Sequence, residues 1–243
     1  MDCLSLETPR LSLSEIAAKR RLPMATVHRL VGALESFGYL KRDEKDGRYE
    51  LGVKTVVMAG IYLGCSDLYR HALPQMRSLI RTLELNANLA VLHQGQALFL
   101  VRIPSPSVSF ASSVFVGRMA PAHSCAAGKV LLAHLPREQA EEIVRQGGLR
   151  RFTEATIGTE AELFACLDEV KARGYALESG ELTAGFECVS FPVRLRDGSV
   201  VAALSVSGPV DLAVKRPRKE IIEVLREHAD RISFSLGYDL IVV

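Results

Sequence analysis

The sequence predicts an α+β fold in two parts: a short winged helix-turn-helix, then a larger antiparallel sheet flanked by helices. Three observations predict it. Two short helices with start signals lie between Ser12 and Gly38; a charged hairpin with an Asp46-Gly47 turn follows directly; and from Ala87 onward strand-like runs mix with amphipathic helices.

Ser12-Leu13-Ser14-Glu15 reads as a capping box, the Ser12 hydroxyl meeting the Glu15 N–H and the Glu15 carboxylate reaching back. A helix follows to about Arg20, with Leu13, Ile16 and Ala17 on its buried face. Pro23 is placed at the first turn of a second helix, where its missing N–H does no harm. Val27, Leu30, Val31 and Leu34 form its stripe, and it stops at Gly38. Tyr39 to Arg42 and Arg48 to Leu51 then make the strands of a wing.

Val53 to Gly64 is helical and poor in charge, so it needs a partner surface, as a linker helix at a dimer interface has. Asp67 to Leu85 is a further helix with Pro74 as a kink site. Strands are expected at Ala87 to His93, Ala97 to Ile103, Val108 to Val116, Tyr175 to Glu178, Glu187 to Val193 and Ser199 to Ser207. Helices are expected at Ala126 to His134, Pro136 to Gln146, Glu160 to Arg173 (capped at Thr159) and Arg218 to Leu236.

A chain of 243 residues, 48% hydrophobic and 24% charged, has the composition of a folded globular protein with room for two domains. Its longest nearly uncharged apolar run, Val56 to Cys65, falls far short of the ~20 residues that span a bilayer. The start, Met1-Asp2-Cys3-Leu4, lacks a secretory pattern, so a cytoplasmic location is expected. Five scattered cysteines without a Cys-x-x-Cys pair argue against a disulfide framework or a zinc knuckle. Net charge is +2, but Arg10 to Lys54 holds ten Lys/Arg against six Asp/Glu, while residues 55 to 243 hold twenty of each. The positive excess sits where a phosphate-binding surface would need it, although such an excess is also what an ordinary solvated face carries.

In a helix-turn-helix the second helix presents its N-terminal residues to base edges in the major groove. Here those are Met24, Ala25, Thr26, His28 and Arg29, with Arg29 suited to a bidentate pair with guanine. Lys41, Arg42, Lys45 and Arg48 of the wing complete the expected DNA-binding surface.

Several motifs together resemble the IclR family of bacterial transcription regulators. They are Leu13-Ser14-Glu15-Ile16-Ala17, Leu22 to Leu30, Gly38-Tyr39-Leu40, Gly47 to Gly52, Pro121 to Ala133, Arg173-Gly174-Tyr175 and Ser205 to Pro209. The resemblance implies residues 1–52 as the winged helix-turn-helix, 53–66 as the linker helix and 67–243 as a GAF-like effector-binding domain. It implies double-stranded operator DNA and a small organic acid or aromatic effector as partners, and a homodimer or dimer of dimers. By position, the effector pocket is expected from Ala126, Ala127, Glu178, Cys188, Ser205 and Ser207. The residues agree in part: Ala126 and Ala127 open a helix whose first N–H groups favour a carboxylate, and Ser205 and Ser207 share one strand face. Relatives often carry Asp or a neutral residue at the Glu178 position, and a ligand carboxylate beside Glu178 requires a proton or a ligand hydroxyl. The family also has a longer helix ahead of the one capped by Ser12. With only Met1 to Thr8 there, the first helix of the module is expected to be mostly missing, leaving Val27, Leu30 and Leu34 short of cover.

Two other readings compete with an effector-controlled regulator. One is a ligand-binding dimer with impaired DNA binding that acts through full-length relatives. The other is an enzyme built on Cys125 or Cys188, with His123 nearby, but a buried free cysteine is more commonly a small core residue. Ala127-Gly128-Lys129 fails as a phosphate-binding loop, since His123 stands where glycine is required and Val130 where Ser or Thr is. His71, His93, His134 and His228 have no ligand spacing, and Lys215 to Lys219 reads as a solvated cap. No catalytic residue, metal or cofactor is expected.

Overall fold

The computed structural model describes residues 3–108, 115–210 and 217–239. The chain divides into two compact units, Met1–Ser66 and Asp67–Val243.

In the first unit, α1 (Leu13–Arg20) opens on the expected capping box: Glu15 N–H donates to Ser12 Oγ at 3.3 Å and Ser12 N–H to Glu15 Oε2 at 2.7 Å. α1 ends at Arg21 in the left-handed region, and α2 (Met24–Ser36) follows with Pro23 as its N-cap, one position earlier than the sequence suggests. The wing is β1 (Leu40–Arg42) paired antiparallel with β2 (Tyr49–Leu51). Leu11 bridges to Tyr49, and Leu11, Ile16, Val27, Val31, Leu40 and Tyr49 form the core. Gly52 is required where it stands, because a Cβ there would lie 2.1 Å from the Gly38 carbonyl oxygen. Of the three residues expected to lose cover, Val27 is buried, Leu34 is half-buried and only Leu30 is 48% exposed. α3 (Lys54–Gly64) has no buried residue.

The second unit is a six-stranded sheet in the order β5-β4-β3-β8-β7-β6, every neighbouring pair antiparallel. Its strands are β3 (Asn86–His93), β4 (Gln96–Ile103), β5 (Met119–Pro121), β6 (Ala176–Ser179), β7 (Phe186–Arg194) and β8 (Val200–Pro209). The expected strand at Val108 to Val116 falls for its middle, residues 109–114, outside the described residues; its described ends are not strand. The edge strand beside β4 is instead β5, three residues long and ending in proline, too short for periodicity to reveal.

Alternation gives the sheet two unlike faces. Ala87 and Leu89 of β3, Val189, Phe191 and Val193 of β7, and Leu204 and Val206 of β8 pack against α4 (Asp67–Leu83) and the last helix, α8 (Arg218–Ser235). α4 runs through Pro74 as one helix. The opposite face is small and polar: Asn88, Cys188, Ser190, Ser205 and Ser207 share it in cross-strand register with Ala90 and Ala203. It is covered by a 3-10 turn (Ala122–Ser124), α5 (Ala126–Ala133) and α7 (Glu160–Arg173), with α6 (Arg137–Gly147) packed outside.

α5 reaches this face closely because Gly128 carries no side chain. A Cβ there would stand 2.3 Å from the Ala122 carbonyl oxygen and 2.4 Å from its Cα. Neither is a flexible side chain that gives way. Gly128→Ala is expected to destabilise the protein by about 1–3 kcal/mol in chemical denaturation, the usual cost of an overpacked core; a loss under 0.5 kcal/mol would show that α5 has slack against the turn.

Candidate functional site

Beneath the start of α5 the polar sheet face leaves a cavity of about 40 Å³, lined by Asn88, Phe99, Cys125, Ala127, Glu178, Leu182, Thr183, Phe186, Cys188 and Ser207. Four of the six expected effector residues line it: Ala127, Glu178, Cys188 and Ser207. Ser205 lies on the same face two residues along β8, fully buried, and Ala126 is buried in the first turn of α5. The N-cap residue Cys125 makes no side-chain cap bond, so the first N–H groups of α5 keep their anion-favouring character at the pocket edge.

Sequence reasoning missed Asn88, Phe99 and the loop between β6 and β7. A signal for Asn88 existed: Asn86 and Asn88 alternate with Ala87 and Leu89, so both amides face one side of an otherwise apolar central strand. The loop residues Leu182 and Thr183 carried none, because only the tertiary fold lays them over the cavity.

Among the described residues Glu178 is the one ionisable carboxyl in the lining, and Lys129 and Glu181 form a buried pair close by. Lys129, 1% exposed, places Nζ 2.5 Å from Glu181 Oε1. Glu178 Oε1 accepts the Glu181 N–H at 2.5 Å and the Leu182 N–H at 3.2 Å, pinning the loop to β6. The Thr153 and Thr156 hydroxyls donate to the Gly180 and Glu181 carbonyl oxygens at 2.7 Å each. Burial pushes the Glu178 carboxyl up to about 7, with repulsion from Glu181 adding to it, against the opposing pull of the two N–H groups and Lys129. Burial also raises the Cys125 thiol to about 12 and the Cys188 thiol well above its ordinary value. Both are therefore protonated and poor nucleophiles. His123 directs Nε2 to the Arg150 carbonyl oxygen at 3.0 Å. Among the described residues no three His, Cys, Asp or Glu side chains group to hold a metal, and no helix is long and apolar enough to cross a membrane.

On the first unit, Met24, Ala25, His28 and Arg29 are exposed on α2, and Thr26 is half-buried. The wing cations divide. Arg48 pairs with Glu15 of α1 at 3.4 Å, and Arg42 lies over the Tyr49 ring at 6.0 Å, while Lys41 and Lys45 are exposed without an ion-pair partner among the described residues. Arg10 fastens the wing from the other side, pairing with Asp43, with Asp46 at 3.0 Å and with Glu50 at 3.8 Å.

A capped two-helix unit with a wing, together with a domain that carries a polar pocket, is the arrangement of a transcription regulator with a ligand-binding domain. The sequence matches the IclR helix-turn-helix domain over residues 1–44 and the bacterial transcriptional regulator IclR C-terminal domain over residues 60–234. The chain belongs to the IclR family. It is similar to the HTH-type transcriptional regulator KdgR of Dickeya chrysanthemi, 32% identical over 96% of this chain and 76% of that protein. It is 33% identical to the glycerol operon regulatory protein of Streptomyces griseus, over 94% of this chain and 89% of that one. Among solved structures, an IclR homolog of Microbacterium hydrocarbonoxydans complexed with 4-hydroxybenzoate superposes with a TM-score of 0.81 at 28% identity, covering 97% of this chain and 95% of that one. These relatives are named as regulators rather than enzymes, so the protein is a transcription regulator with a DNA-binding helix-turn-helix and a ligand-binding C-terminal domain.

The raised Glu178 carboxyl has a consequence for stability. The folded state holds a proton there up to about pH 7, whereas an unfolded chain releases it near its ordinary 4.5. Between those values the folded state binds more protons, so this contribution to stability falls as pH rises. Glu178→Gln removes the titration. Urea denaturation at a series of pH values is expected to show wild type losing about 2 kcal/mol relative to the variant between pH 5 and 8. A pH-independent difference would mean that Glu178 titrates alike in both states.

Proposed function

We propose that the protein binds operator DNA through Met24, Ala25, Thr26, His28 and Arg29 of α2, with Lys41 and Lys45 of the wing on the phosphates, and that a small organic acid or aromatic compound in the pocket beneath α5 changes that hold. The observation that carries the reading is the polar pocket itself. A fold that fills one sheet face with aliphatic side chains keeps serines, an asparagine and a carboxyl on the other, where they converge on a cavity under an uncapped helix start. The Microbacterium hydrocarbonoxydans relative that holds 4-hydroxybenzoate supports a small acid as the effector class. Arg42 and Arg48, expected at the DNA surface, are held by Tyr49 and Glu15 and contribute to the phosphate field rather than to base contacts.

The domain limits follow the same reading: residues 1–52 bind DNA, 53–66 link, and 67–243 bind the effector, in the cytoplasm. The linker carries the dimer. α3 exposes Val56, Val57, Met58, Ile61 and Tyr62, a run of large apolar side chains with no cover, and such a stripe on a helix is what a second copy buries. For the effector to act, it must bind the DNA-competent and DNA-incompetent arrangements of the dimer with different affinities.

Two experiments test these assignments. Selection of genomic fragments followed by footprinting identifies the operator, and Arg29→Ala is expected to weaken its binding by about 1–3 kcal/mol and to relax the preference at one base pair. Unchanged binding removes α2 as the reading helix. Val57→Glu is expected to shift the protein toward monomer in sedimentation velocity and to abolish operator binding while the fold, by circular dichroism, persists. A variant that stays dimeric places the interface elsewhere.

A further inference from the structure

Asn88 stands at the centre of the polar face, on strand β3 opposite Ser205, and is 2% exposed. Its Nδ2 donates to Ser207 Oγ at 3.2 Å, while its Oδ1 is buried without a hydrogen-bond partner. The Ser205 hydroxyl beside it is likewise buried, with only the weakly bonding Cys188 thiol as a neighbour. A buried amide oxygen at a cavity wall is an unmet demand for a donor. With the amide turned over, Ser207 would donate and the amide N–H would be left without a partner instead. A ligand hydroxyl, being both donor and acceptor, meets either orientation.

The rest of the lining fixes where that hydroxyl belongs. The carboxyl of Glu178 stands on β6 with two backbone N–H groups already on one oxygen, so a ligand carboxylate set against it meets like charge. Donors for a carboxylate lie at the start of α5 and on Ser207. The cavity, about 40 Å³, corresponds to about three water molecules, room for an acid of two or three carbons.

We propose that Asn88 is a specificity-determining residue and that the effector is a compact hydroxy acid, its hydroxyl paired with Asn88 and its carboxylate at the first turn of α5. The inference rests on the effector-pocket reading above. It is tested by isothermal titration of the full chain with two matched pairs, glycolate against acetate and lactate against propionate. The hydroxy member of at least one pair is expected to bind at least about tenfold more tightly. Asn88→Leu is expected to lower the hydroxy acid to the level of its partner and to leave that partner within about twofold of its wild-type value. If the leucine does not fold, Asn88→Ala, which matches the neighbouring Ala90 and Ala203 on this face, gives the same reading. Equal binding within both pairs, or discrimination that survives loss of the amide, overturns the role of Asn88 and leaves the effector pocket standing. Failure of all four acids to bind overturns the compact-acid pocket together with the inference.

Discussion

The effector domain depends on how closely α5 sits on the turn that precedes it. Gly128 permits that approach, since any side chain there would meet the backbone of Ala122. The seat fixes two further things. It aims the start of α5 at the polar sheet face, and it carries Lys129 into the interior, where Nζ finds Glu181. An ammonium buried to this depth is tolerable only with a partner, so the loop bearing Glu181 is tied to α5 by the cost of leaving the lysine unpaired. Sheet, helix and loop therefore define the pocket jointly, and none of the three shapes it alone.

The DNA-binding unit is governed by a similar economy of charge. Its excess of Lys and Arg over Asp and Glu suggests a broad basic surface, but the structure spends much of it internally. Arg10 holds the wing through Asp43, Asp46 and Glu50, and Arg48 joins the wing to α1 through Glu15. These are exposed pairs, each worth little in stability. Their effect is geometric: they hold the hairpin at a set angle to the helices. Among the described residues Arg29 on α2 and Lys41 and Lys45 on the wing are exposed cations that no such ion pair holds, which leaves them available for the DNA contacts proposed above.

Much of this was legible in the sequence because it is local. The capping box at Ser12 formed as read, and at Thr159 the hydroxyl accepts the Glu162 N–H as read while the Glu162 carboxylate is met by the Thr159 hydroxyl, since three residues suffice to specify each cap. Helix stripes and strand alternation placed most elements, since their periods survive any packing partner. What was not legible depends on contacts far apart in the chain. β5 is too short to carry a period and exists because β4 needs a neighbour. Leu182 and Thr183 reach the pocket because Glu178, Lys129, Thr153 and Thr156 hold their loop. Arg48 has the composition of a DNA contact, and only the fold reveals Glu15 beside it.

On the proposed function, the pocket also bears on how an acid would be sensed at neutral pH. With Lys129 matched to Glu181, the remaining charge in the lining is that of Glu178, and its ionisation competes with the arrival of an anion. Linkage makes the two processes antagonistic: an anionic ligand favours the protonated carboxyl, and the protonated carboxyl favours the ligand. A carboxyl with a pKa pushed up to about 7 is poised for that exchange, whereas one at its ordinary value would be ionised and would exclude anions throughout. The loop makes the same bargain in structural terms. The Glu181 and Leu182 N–H groups hold the loop more strongly through a carboxylate than through a carboxylic acid. On the proposed function, an anion filling the pocket would take up a proton at Glu178 and slacken one of the ties that keep the loop in place, converting ligand charge into a local change of structure.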